Sequence, residues 1–120
     1  MHRRNIIQSF THALKGAYYA CCSERNMLIH IAIATAVVIV SFLVHLDKIE
    51  FLIVLLCIAM VLITEMINTS FEFMVDLFQG AKISPVVKML KDIASAAVLV
   101  ASVFSAIIGV WIFLPKVIKL

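Results

Sequence analysis

Four side chains near the middle of the chain have the types and the spacing to do chemistry together. Glu65, Asn68, Glu72 and Asp76 follow one another at intervals of three, four and four in TEMINTSFEFMVD, and at 100° per residue a helix gathers them into an arc of about 80°. They form one polar stripe. The stretch before it, FLIVLLCIAMVLI, has no charge, so a helix running through both carries Glu65 at membrane depth. There a carboxylate facing lipid costs several kcal/mol, and an ionisable residue is a candidate for function. Two further groups belong with the stripe: Lys88, Lys91 and Asp92 in KMLKDIASA, and Glu24 in SERNMLIH.

The chemistry follows from the donor types. Two carboxylates can hold a divalent cation through hard oxygen ligands, a lysine can contact phosphate, and a carboxylate placed deeper can take a proton from a hydroxyl. That inventory suits phosphoryl transfer to a lipid alcohol. A plainer reading has Lys91 neutralise Glu72 or Asp76 and Asn68 act as interhelical glue. A small proton- or cation-coupled transport subunit would also carry membrane carboxylates, but it leaves Glu24 and Lys91 without a role. The soluble kinase templates GxxxxGK[ST], HRD and DFG are absent from the sequence, so any nucleotide is bound in another way. Nothing in the pattern calls for a nucleic-acid partner.

The elements that position these groups can be read from composition and hydropathy. Of 120 residues 64% are hydrophobic, and the mean hydropathy of +1.14 lies outside the soluble range. The expected fold is all-α and membrane-integral, a single domain over 1–120. It has transmembrane helices over 27–46, 51–76 and 86–114, preceded by an amphipathic interfacial helix within 1–25. The last assignment rests on Ile6, Phe10, Ala13, Leu14, Ala17, Tyr18 and Cys21, which recur at helical spacing. QGAKISP, with Gly80 and Pro85, marks the break between the second and third spans. Ala97, Ala101, Ser105 and Gly109 recur every four residues and predict a close-packing seam on the third span, within the chain or between chains. Cys21, Cys22 and Cys57 show no paired spacing and read as small packing residues.

The set ALKG, SERNMLIH, TEMINTSFEFMVD and VKMLKDIASAAVL, in this order, resembles the small prokaryotic diacylglycerol kinase and undecaprenol kinase family from Phe10 to about Val103. The resemblance implies an integral-membrane homotrimer, with active sites shared between protomers, that uses MgATP to phosphorylate a membrane lipid alcohol. It implies Glu65 as the catalytic base, in contact with the acceptor. Glu24 and Glu72 would bind Mg2+ and the ATP phosphates, with Lys91 and Asp92 as the nucleotide-binding pair. Asp76 would serve the nucleotide end, Asn68 the acceptor region and Ser95 the lipid-facing end. Many relatives have an acidic residue followed two positions later by histidine in the second connection, where this chain has Lys82 and Ser84. The SERNMLIH form resembles the undecaprenol kinase branch more than the diacylglycerol branch, so undecaprenol is the first expectation and diacylglycerol the second.

Orientation follows from the basic residues of the short flanking segments. Arg3, Arg4, Lys15 and Arg25 precede the first span, Lys48 alone lies in the first connection, and Lys82, Lys88 and Lys91 flank the second. These place the N-terminus and the active site on the cytoplasmic side of a bacterial inner membrane. In a cysteine-free background, Asp47→Cys should therefore react with an impermeant thiol reagent from outside and Gly80→Cys from inside. The reverse pattern would overturn the orientation.

Overall fold

The computed structural model describes residues 5–77 and 84–119, and the regular structure among them is α-helical throughout. Four helices follow in order: α1 Ile6–Ser23, α2 Arg25–Leu43, α3 Lys48–Leu77 and α4 Pro85–Ile118. Arg3, Arg4, Gly80 and Lys82 lie outside the described residues. The last three helices are each long and apolar enough to cross a membrane. With 30 and 34 residues, α3 and α4 extend about 45 and 50 Å, beyond a hydrocarbon core of about 30 Å.

Local chemistry sets the helix ends. Asn5 and Gln8 form a reciprocal capping box at the start of α1, which satisfies backbone donors that the first turn leaves open. A single extended residue, Glu24, separates α1 from α2. The other end of α2 stops at Leu43, before the expected 46, because His45 takes a left-handed conformation with φ 55°. His45 N–H and Leu46 N–H then donate to the Phe42 and Ser41 carbonyls, the paired bonds of a Schellman closure. Asp47 caps α3 through a second reciprocal box with Glu50, and Glu50 also meets Lys116 of α4 at 3.2 Å. Ser84 caps α4 by accepting from Val87 N–H, with Pro85 in the first turn. Pro115 falls where the third span was expected to end, yet the helix runs on to Ile118. A proline this close to the terminus forfeits one helical hydrogen bond and leaves few turns to disturb.

α3 and α4 make the most extensive contact, α2 rests on α3, and α1 touches α2 and α3. Only 11% of each spanning window is buried within the chain. Its core is small and partly polar: Val54, Ala94 and Ala101 are buried, and so are Ser41, Glu65, Asn68 and Thr69. Without a hydrophobic driving force between helices in lipid, association relies on close contact and on hydrogen bonds.

Within the chain, the seam on α4 differs from the four-residue repeat. Lys91, Ala94, Val98, Ala101, Ser105, Ile108 and Ile112 are buried or half-buried, whereas Ala97 is exposed. Steps alternating between three and four keep one face toward a neighbouring helix, since a strict four-residue step rotates away from it. Gly109 has open space where a Cβ would stand, so no close approach demands it. Ala101→Leu should overpack the seam and cost about 1–3 kcal/mol, whereas Ala97→Leu leaves the contact with α3 intact. Thermal unfolding of both variants in detergent checks the pair, and equal melting temperatures would contradict this seam.

Candidate functional site

α3 and α4 run antiparallel, and two hydrogen bonds fix their register. Ser105 Oγ donates to the Cys57 carbonyl at 3.4 Å, and Ser95 Oγ donates to Asn68 Oδ1 at 3.3 Å. One turn further, Glu72 on α3 and Lys91 on α4 come level with each other. The α2–α3 contact has its own register: His30 meets Glu65, and Glu24 at the head of α2 meets Glu72. The acidic stripe of α3 therefore lies in the angle between α2 and α4.

Exposure along the stripe is graded. Glu65 and Asn68 are 2% and 5% exposed, Glu72 is half-buried, and Asp76 is exposed in the last turn of α3. Glu65 and Glu72 are separated by two turns, about 10 Å along the axis. Asn68 links the levels by donating to Glu72 Oε1 at 3.4 Å while accepting from Ser95. The hydroxyls on α2 and α3 do no such bridging: Thr35, Ser41, Thr64, Thr69 and Ser70 donate to carbonyls of their own helix, which satisfies them locally. Ser95 and Ser105 of α4 reach across.

Glu24 carries the clearest electrostatic signature. Its burial, a side-chain hydrogen bond with Glu72, and the charges of Glu72, Glu65 and Asp76 all push its carboxyl above the usual range. Like charges brought together in this way accept a divalent cation, which removes their repulsion. Among the described residues no cluster of three or more His, Cys, Asp or Glu side chains converges as a metal cage. Two carboxylates with the remaining positions left to water and phosphate oxygens fit Mg2+, which retains waters and shares ligands with phosphates.

The structure thus brings together Glu24, Glu65, Asn68, Glu72 and Ser95. Lys91 is half-buried on the α4 face that meets α3, yet among the described residues it forms no salt bridge with Glu72. Asp92, its neighbour, is exposed, because consecutive helical residues point about 100° apart. His30 was not assigned a role from sequence. Its Nε2 stands 3.5 Å from Glu65 Oε2. The available signal was an ionisable group within the uncharged apolar run over 27–44. His30 also lines an apolar cavity of about 350 Å³ between α2, α3 and α4, whose walls include Val37, Val54, Leu62 and Ser105.

The sequence that builds this arrangement has counterparts among known proteins. Residues 11–113 match the prokaryotic diacylglycerol kinase family, and the chain belongs to that family of lipid kinases. An undecaprenol kinase from Bacillus subtilis is 43% identical over 118 residues, covering 96% of this chain and 95% of that protein. A diacylglycerol kinase from Synechocystis is 35% identical over 116 residues, covering 97% of this chain and 66% of that protein. No solved structure gives a significant match. The chain is therefore a multi-pass membrane transferase whose lipid substrate meets it in the bilayer and whose phosphate comes from a nucleotide donor.

The raised Glu24 carboxyl has a consequence for stability. A group whose pKa is higher in the folded state adds stability below its ordinary range, and that contribution is lost as pH rises through the raised value. Metal-free protein should therefore melt at lower temperature as pH climbs out of the ordinary glutamate range, and Glu24→Gln should flatten that part of the profile. Melting curves across pH, with chelator present, measure this directly. A profile unaltered by the substitution would show that Glu24 is not electrostatically coupled to the stripe.

Proposed function

We propose that the protein transfers the γ-phosphate of ATP to undecaprenol, with Glu65 as the base. The observation that carries this reading is the placement of Glu65: buried within a spanning helix, reached through His30 from an apolar cavity, and two turns below an acidic cluster. The hydroxyl of a chain lying in that cavity meets Glu65. Glu65 takes the hydroxyl proton as the alcohol oxygen bonds to the γ-phosphorus, and the bond from that phosphorus to the β-phosphate oxygen breaks to release ADP.

Glu24 and Glu72 would hold Mg2+, which when bound neutralises charge on the phosphate oxygens. Lys91, half-buried and level with Glu72, offers its ammonium to phosphate, and Asp92 and Asp76 serve the nucleotide at the outer end of the stripe. Asn68 and Ser95, bonded to each other, brace α3 against α4 where the acceptor approaches. The single 1–120 domain acts as a homotrimer with shared sites, a reading supported by how little of each helix the chain itself buries. α1 lies in the cytoplasmic interface, supported by exposed Ile6, Phe10, Leu14, Tyr18 and Tyr19, and the active site opens to the cytoplasm of the bacterial inner membrane. Undecaprenol comes before diacylglycerol because the undecaprenol kinase relative matches over nearly its full length.

Purified protein supplied with labelled ATP, Mg2+ and each alcohol separately should phosphorylate undecaprenol faster than diacylglycerol; transfer to neither would sink the proposal. Glu65→Gln should retain MgATP binding and lose about 10²- to 10⁴-fold in turnover, the usual size of a positioned base. Glu72→Gln should instead weaken Mg2+-dependent nucleotide binding, with partial recovery at higher Mg2+. Inverted phenotypes would exchange the two roles.

A further inference from the structure

We infer that His30 is a positioning residue for Glu65, holding one carboxylate oxygen so that the other faces the acceptor hydroxyl. The inference rests on the reading of Glu65 as the base. Past Arg25, α2 carries one side chain that titrates, His30. An imidazole in a membrane span requires a polar partner, and this one has Glu65, Nε2 to Oε2, at 3.5 Å. The side chains are 21% and 3% exposed, so the contact is screened by little water. Small rotamer adjustments close such a distance to hydrogen-bonding range once a substrate is bound. A carboxylate acceptor selects the form of the ring with its proton on Nε2, whether the imidazole is neutral or charged.

His30 is the partner that reaches the Glu65 carboxylate from another helix. Asn68, one turn away on α3 itself, also hydrogen-bonds the Glu65 side chain, but it is shared with Glu72 and Ser95 as well. Thr69 donates to the backbone carbonyl of residue 65 and not to its side chain. His30 approaches from α2. It is also the point where the contact with Glu65 and the apolar cavity meet. An alcohol arriving along the cavity passes the imidazole before reaching the carboxylate. A base free to rotate would present either oxygen in several directions; one pinned by His30 presents its second oxygen in a single direction.

The test compares His30→Gln, His30→Asn and His30→Leu in purified protein, with kcat and KM measured separately for the lipid alcohol and for MgATP. The glutamine amide nitrogen reaches the place of Nε2, whereas that of asparagine falls short. His30→Leu and His30→Asn should lose about 10- to 100-fold in kcat, the range for removing a hydrogen bond to a charged group. KM for MgATP should stay unchanged, and His30→Gln should recover most of the loss. Because asparagine and glutamine are both polar amides, their contrast holds even if the leucine variant folds poorly. Equal activity of the glutamine and asparagine variants overturns the assignment, and so does a rise in acceptor KM alone, which would make His30 a cavity wall. Wild-type transfer with unaffected His30 variants overturns this inference alone, while absence of wild-type transfer overturns the reading of Glu65 with it.

Discussion

The arrangement of this protein depends on the cost of placing a carboxylate inside a membrane. Glu65 must face protein, and the groups around it must be polar or charged, because hydrocarbon supplies neither hydrogen bonds nor counter-charge. α3 meets the first demand by turning its stripe inward, and the second by meeting His30 of α2 at 3.5 Å. Small residues at Ala94 and Ala101 let α4 close over α3 near the same level. A large side chain at either position would hold α4 away and open Glu65 to lipid or water.

The two helix contacts differ in kind, and the difference shapes the site. α3 and α4 are joined along their length, from Lys116–Glu50 at one end through Ser105–Cys57 to Ser95–Asn68 at the other. α2 rests on α3 without approaching α4 closely. The wedge left open between them is the apolar cavity. A closely joined pair of helices thus carries the stripe, while the third helix leaves an apolar wedge open beside it.

Above Glu65 several acids share a small space. Burial, a hydrogen bond with Glu72 and the charges of Glu72, Glu65 and Asp76 together push the Glu24 carboxyl upward, while half-buried Lys91 makes no salt bridge with Glu72 among the described residues. Full internal pairing would stabilise the fold at the expense of affinity for counter-charge. Stored repulsion of this sort is characteristic of sites built to bind counter-charge.

Much of this was legible in the sequence, for a definite reason. Helical periodicity converts spacing into direction, so Glu65, Asn68, Glu72 and Asp76 could be put on one face, and the uncharged run before them put that face at membrane depth. Asn5, Asp47 and Ser84 act through bonds to residues three positions away, which is also local information. Contacts between helices are not local. Spacing along α4 suggested a seam through Ala97, but the antiparallel register with α3 turned that residue outward and left Ala94, Ala101 and Ser105 inside. The sequence determined that an acid lay in the membrane with other acids beside it. Only the packing of α2 against α3 decided that His30, 35 residues away in the chain, would be its partner, because a side chain's partner depends on the rotation and offset of two helices, which neither helix's own periodicity specifies.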